Sequence, residues 1–170
     1  MQGKFSLTKQ RFPLMIDHCL FFWLEFLGWG QRFITCQSKN FNCNPILLII
    51  GHLIHCFPGE NALVFIECGL ITEGREWVGI DQWRMDKFMM LTRRFLRQAF
   101  NFLSKDNWEK VNNMTEIFSS SVISNPTATL GFRLHFTDVY LEEVAKAGGE
   151  EFGGDIILRL IGKYAFFRRV

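Results

Sequence analysis

From about residue 50 onward, apolar positions recur every three to four residues, the period of an amphipathic helix; before that point they cluster without a steady period. Ile46 to Phe57 reads as a buried helix opened by Pro45, which suits a first-turn position, and stopped by Pro58-Gly59. Ala62 to Ile71 is apolar enough for helix or strand, and Gly69 and Gly74 weaken a helical reading. The longest periodic stretch runs from about Asp81 to Leu103. At 100° per residue it gathers Met85, Phe88, Thr92, Phe95, Leu96, Ala99, Phe102 and Leu103 on one side. Lys87, Arg93, Arg94 and Arg97 fall on the opposite arc, with Arg84 at its margin, stem packed and head in water.

Asp106 and Glu109 have the spacing of a capping box, so a helix is predicted to open at Asp106. Its apolar stripe is Trp108, Val111, Met114, Phe118 and Val122, and Ser124-Asn125-Pro126 ends it. After a loop at Thr127 to Gly131, Phe132 to Ala147 is the next helix, with Phe136, Val139, Tyr140 and Val144 on one side and Gly148-Gly149 as its stop. Beyond Gly153-Gly154, Asp155 is placed to cap a last helix through Phe167, whose apolar residues include Ile156, Leu158, Leu160, Ile161 and Phe166. No alternating strand pattern occurs after residue 75. The predicted fold class is all-α: helical-repeat, α-solenoid-like antiparallel helix pairs joined by short loops.

The change of pattern divides the chain into an atypical, poorly ordered N-terminal segment, residues 1–50, and a helical domain, residues 51–170. A length of 170 residues suits one domain, and 48% apolar with 15% aromatic residues provides a core and excludes global disorder. Neither apolar run is expected to cross a membrane. Phe12 to Trp29 is interrupted by Asp17, His18 and Glu25, and Pro45 to Phe57 falls short of the roughly 20 residues a span requires. Net charge is +2, from 19 basic and 17 acidic residues, too balanced for a protein that holds nucleic acid by charge alone. All five cysteines lie in the first 68 residues with no secretory signal ahead of them, which fits reduced intracellular thiols.

Candidate chemistry is sparse. His52, His55 and Cys56 lie close together, with Cys36 and Cys43 upstream, but no CxxC pair accompanies them; packed histidines and small buried cysteines are expected, and no metal site. His135 and Asp138 have the spacing of a base and its orienting acid, and Asp138 and Glu142 share a helix face, yet no nucleophile is tied to them by spacing; no catalytic residue is expected. The glycine pairs lack the GxxxxGK[ST] and GxGxxG patterns and read as helix stops, so no cofactor is expected. This leaves the basic arc of Arg84, Lys87, Arg93, Arg94 and Arg97. It suits a polyanion, an acidic protein partner or a solvated face with acidic neighbours such as Asp86.

Two segments carry a family resemblance. Arg75-Glu76-Trp77-Val78-Gly79-Ile80-Asp81, followed by Arg84-Met85-Asp86-Lys87-Phe88 and then Leu91, Arg94, Leu96 and Phe100, resembles the signature of the ribosomal RNA processing protein 1 family, approximately REWxGIDxxRxDKF. Arg133-Leu134-His135-Phe136 with Asp138, Tyr140-Leu141-Glu142-Glu143 and Lys146-Ala147-Gly148 resembles the family's HFxDIxLEELxKVG segment. Asp155 and Leu158 to Ile161 resemble the start of its next helix, and His52 to Phe57 is a weaker echo of another. The resemblance covers roughly residues 52–165; residues 1–50 do not resemble the family's N-terminal helices, and the long basic C-terminal tail of many members does not follow. It implies a helical, repeat-like domain in the nucleus and nucleolus. It also implies a non-enzymatic role in ribosomal RNA processing, with pre-ribosomal particle proteins and pre-rRNA as partners and no small-molecule substrate. A helical-repeat protein–protein adaptor without an RNA role is the alternative. Within the first motif, Trp77, Ile80 and Phe88 are placed to anchor one helix on its neighbour, and Asp81 to cap it. Asp86 and Arg94, eight apart, need partners elsewhere.

Overall fold

The computed structural model describes residues 45–148 and 153–167. The segment 1–44, with Cys36 and Cys43, and Gly149 lie outside the described residues, and so does the expectation that the N-terminal segment is poorly ordered. Helix α1 is Pro45–His52, prolonged by a 3-10 turn at Leu53–Cys56, and α2 is Gly59–Glu76, followed by a 3-10 turn at Trp77–Gly79. Then come α3, Gln82–Lys105; α4, Val111–Phe118, running into a π-helical turn at Ser119–Ile123; α5, Leu130–Gly148; and α6, Gly154–Phe167. No strand occurs among the described residues, and the fold is all-α.

The helices sort into two layers. α1, α3 and α5 lie side by side, and α2, α4 and α6 form the second layer behind them. Cross-helix pairs give the directions. Met89, Arg93 and Arg97 of α3 meet His135, Glu142 and Glu143 of α5 in ascending order on both, so these two run parallel. Gly69 and Glu73 of α2 meet Phe95 and Thr92 of α3 in opposite order, so these two successive helices run antiparallel.

The ambiguous segment at Ala62 to Ile71 is the middle of an eighteen-residue helix. Its two glycines are points of close approach. A Cβ on Gly69 would stand 2.6 Å from Cζ of Phe95, and one on Gly74 would stand 3.2 Å from both Cβ of Ala128 and Cδ1 of Phe132. The residues that weakened the helical reading are thus what lets α2 sit against α3 and α5. Gly69→Ala gains about 1 kcal/mol of helix propensity but forces the buried Phe95 ring off its seat, for about 1–3 kcal/mol of overpacking. A net loss of stability in urea titration is expected; an unchanged midpoint would mean that Phe95 can swing aside.

Asp81 caps α3 as expected, its carboxylate accepting from the backbone N–H groups of Trp83 and Arg84 at 3.0 Å each while also pairing with the Arg84 side chain. The Arg84 hydrogen bond holds the Asp81 carboxyl below its ordinary range. Asp106, in contrast, does not open a helix. It ends α3, and Asn107 and Trp108 take left-handed backbone angles, φ 49 and 62. The N–H of Trp108 reaches the carbonyl of Leu103 (2.9 Å) and that of Asn107 the carbonyl of Ser104 (3.2 Å), a Schellman closure. The Asp106 carboxylate pairs with Lys110 instead of capping, and α4 starts only at Val111. Its stripe of Val111, Met114, Phe118 and Val122 is fully buried. Asp155 likewise sits inside the first turn of α6, paired with Arg159 at 2.6 Å, while Gly153 supplies the carbonyl that the N–H of Ile156 meets. Of the apolar residues expected on α6, Leu160 is buried, whereas Leu158 and Ile161 face solvent.

Aromatic rings tie the layers together. Phe100 of α3, Phe118 of α4 and Tyr140 of α5 meet edge to face, with centroids 5.4 to 5.9 Å apart. The Tyr140 hydroxyl donates to the Leu160 carbonyl at 3.4 Å, fastening α6 to this centre.

Candidate functional site

The two motif segments face each other along the seam between α3 and α5. At its upper end, the buried Trp77 indole stacks on His135 (5.7 Å, 23°) and leans on Phe132 at 5.1 Å. Gly131 makes room for it: a Cβ there would lie 3.2 Å from Nε1 of Trp77. The His135 imidazole gives its Nε2–H to the Met89 carbonyl at 3.0 Å, and burial lowers its pKa. Asp138 is exposed one turn on. His135 is therefore bound into the seam by its ring face and its N–H.

Further along, five ionisable side chains converge. Glu143 has no exposed side-chain surface, and Arg97 grips it with two hydrogen bonds, Nε to Oε2 at 2.6 Å and Nη2 to Oε1 at 3.1 Å. Such a fork is the strong geometry for arginine and carboxylate. Arg93 reaches Glu142 at 2.5 Å and Glu143 at 3.2 Å, and Lys146 reaches the same two at 2.6 and 3.3 Å. Hydrogen bonds from Lys146 and Arg93 pull the Glu142 carboxyl down to about 2.

The basic arc is therefore split. Arg93 and Arg97 are drawn to α5, and Arg84 is drawn to Asp81. Lys87 and Arg94 are not drawn to α5, and the Arg94 carbonyl, on the flank toward α1, lies 3.4 Å from where a Gly51 side chain would begin. The expectation that the whole basic side faces water or a partner holds for only part of it, because α3 is the middle helix of its layer and only a strip of it reaches the surface.

His52, His55 and Cys56 do not point at one another's ligand atoms. His55 gives its Nε2–H to Gln98 at 2.9 Å, the two rings are 6.2 Å apart, and Cys56 is exposed. Among the described residues no three potential metal ligands converge, and no helix is long and apolar enough to cross a membrane.

Three features escaped the sequence reading. Glu143 falls one heptad after Phe136 on the buried stripe of α5, and Glu73 one heptad after Ile66 on that of α2; a carboxylate at such a place signals a buried partner. Glu73 is 6% exposed, accepts from the Thr92 hydroxyl at 2.8 Å, and is pushed up to about 8 by burial. The third is Trp83, in the first turn of α3 and 89% exposed.

The model of the nucleolar protein Nop52 family matches residues 45–166, from the start of α1 to within one residue of the end of α6. The chain belongs to the Nop52 family. Its relatives carry the name whose motifs were recognised above. The "Ribosomal RNA processing protein 1 homolog" of Drosophila melanogaster is 38% identical over 108 residues, which covers 60% of this chain and 15% of the fly protein. Human "Ribosomal RNA processing protein 1 homolog B" is 35% identical over 119 residues, covering 68% and 16%, and the Caenorhabditis elegans homolog is 36% identical over 130 residues, covering 74% and 31%. The chain thus spans less than a third of the length of these relatives. For this Nop52 chain, the seam and the outer strip of α3 are the features that the two motif segments build.

Proposed function

We propose that this Nop52 chain is a non-enzymatic assembly factor of precursor ribosomal particles, working in the nucleolus by holding pre-rRNA and neighbouring proteins in place during ribosomal RNA processing. The observation that supports it most directly is that both motif segments serve one interface. Trp77 from the first stacks on His135 from the second, and further along the same helices Arg93 and Arg97 meet Glu142 and Glu143. Side chains used in this way stiffen a docking platform. Of the basic arc, Lys87 and Arg94 on the polar strip of α3 are the side chains offered to RNA, since Arg84, Arg93 and Arg97 are paired with carboxylates, and the exposed Leu130 and Leu134 of α5 with Leu158 of α6 are offered to protein neighbours.

The test is sedimentation of the tagged full chain from nuclear extract. Co-migration with precursor particles and enrichment in nucleoli are expected, with association weakened by salt. Migration only in light fractions, outside nucleoli, would overturn the proposal. Association that survives nuclease treatment and salt alike would favour a protein–protein adaptor.

A further inference from the structure

We infer that Trp83 is a stacking platform for an unpaired RNA base, at the head of a short track along the outer strip of α3 on which Lys87 and Arg94 meet the backbone. This rests on the RNA-binding role proposed above and names one residue and one form of RNA for it. On a helix, Trp83, Lys87, Met90, Arg94, Arg97 and Asn101 lie within about 40° of a single line, because their spacings from Trp83 are four, seven, eleven, fourteen and eighteen. The opposite line, Phe88, Thr92, Phe95 and Ala99, is buried. With α1 on one flank and α5 on the other, that outer line looks away from the core: Trp83 on it is exposed, Lys87, Met90, Arg94, Arg97 and Asn101 are half-buried, and Gln82, Asp86 and Met89 beside it are exposed.

An indole that is 89% exposed is costly to keep in water, and here it is not spent on the core, where Trp77 a few residues earlier is 8% exposed. Its surroundings are polar. Arg84 follows it directly, and Lys87 lies one turn on, half-buried, with no carboxylate within ion-pair distance among the described residues. Cations outnumber carboxylates on α3, where Arg84, Lys87, Arg93, Arg94, Arg97 and Lys105 accompany one acidic residue, the exposed Asp86. Of the other exposed apolar side chains, Leu130, Leu134, Leu158 and Ile161 lie on α5 and α6, while Val78 stands in the turn before α3 and Met89 on α3 itself. A flat exposed ring beside spaced cations is the arrangement that binds single strands, the ring taking a base and the cations the phosphates. A duplex keeps its bases stacked inside and cannot use the ring.

The test uses the full chain with a labelled uridine homopolymer as single strand and a blunt RNA duplex as control, titrated at several salt concentrations. Trp83→Ala is expected to weaken single-strand binding about tenfold and leave the salt slope unchanged, whereas Trp83→Phe keeps most of the affinity. Lys87→Gln and Arg94→Gln are each expected to lower the salt slope by about 0.7. Trp83 quenching on binding, read as the difference between wild type and Trp83→Phe, supplies a readout of stacking. Equal binding by wild type and Trp83→Ala, or no binding of the single strand by wild type, overturns the inference. Loss of a protein neighbour from purified particles on Trp83→Ala, with RNA binding intact, overturns it in favour of a protein contact. If particles still sediment with Trp83→Ala, the assembly role stands without this residue; if wild type never meets particles, that role itself fails.

Discussion

Arg97→Glu is expected to cost at least about 3 kcal/mol and to lower the melting temperature far more than substitution of any other arginine on α3. Arg97 supplies two of the hydrogen bonds to Glu143, whose side chain is wholly enclosed. A buried carboxylate stripped of its partner keeps its desolvation cost and loses its compensation, and a second carboxylate beside it adds repulsion. Arg97 is itself about one-third exposed, and Arg93 and Lys146 stay within reach of Glu143, which limits the loss to the lower end of the range for buried pairs. A domain of this size holds roughly 5–15 kcal/mol in all, so the variant sits near the edge of folding. Replacing both members, Arg97→Met with Glu143→Leu, removes the charge to be buried and is expected to recover most of the stability. Thermal melts followed by circular dichroism decide it. A melting temperature for Arg97→Glu close to wild type would show that the fork contributes nothing.

This changes how the basic arc can be tested. Charge reversal at Arg93, Arg94 and Arg97 together would break the seam between α3 and α5 along with any RNA contact, and loss of binding would then report unfolding. Lys87, with no carboxylate in ion-pair distance among the described residues, is the position where neutralisation tests binding itself.

The helical period of the sequence carried the all-α fold and most of the buried stripes, because burial on one side of a helix leaves its mark every three to four residues. What it missed depended on contacts distant in sequence. Gly69 weakens a helix judged alone and becomes an asset only when Phe95 lies over it. Asp106 and Glu109 fit the pattern of a helix start, but the chain must reverse there to return α4 to the second layer, and two left-handed residues take the turn. The basic arc was legible as an arc. Its division, with Arg93 and Arg97 drawn to α5 and Arg84 to Asp81, was not, since neither the neighbours of α3 nor their order in the layer can be read from its own period. Trp83 falls outside the apolar stripe and was passed over for that reason, although a large aromatic on a polar strip is itself the signal.

Stability is expected to fall as pH rises from about 5 to 8, by on the order of 4 kcal/mol in total, because of Glu73. Unfolded, this carboxyl loses its proton near the ordinary value of 4.5; folded, enclosed between α2 and α3 with Thr92 as hydrogen-bond partner, it holds the proton up to about 8. Between those values the folded chain carries a proton that the unfolded chain has released, so each unit of rising pH favours unfolding, and the slope vanishes above the folded value. Other groups pull differently. Burial lowers the pKa of His135, so its contribution is lost as pH falls below 6.5, and Glu142, held down to about 2, contributes stability that is lost only in stronger acid. The comparison that isolates Glu73 is therefore with Glu73→Gln, whose amide oxygen can still accept from Thr92 but has no charge to bury. At pH 5 the two proteins should denature at similar urea concentrations, and at pH 8.5 the glutamine variant should be clearly the more stable. Parallel pH profiles for the two would mean that Glu73 ionises in the folded core without penalty, which a carboxylate shielded from water with one hydroxyl partner cannot do.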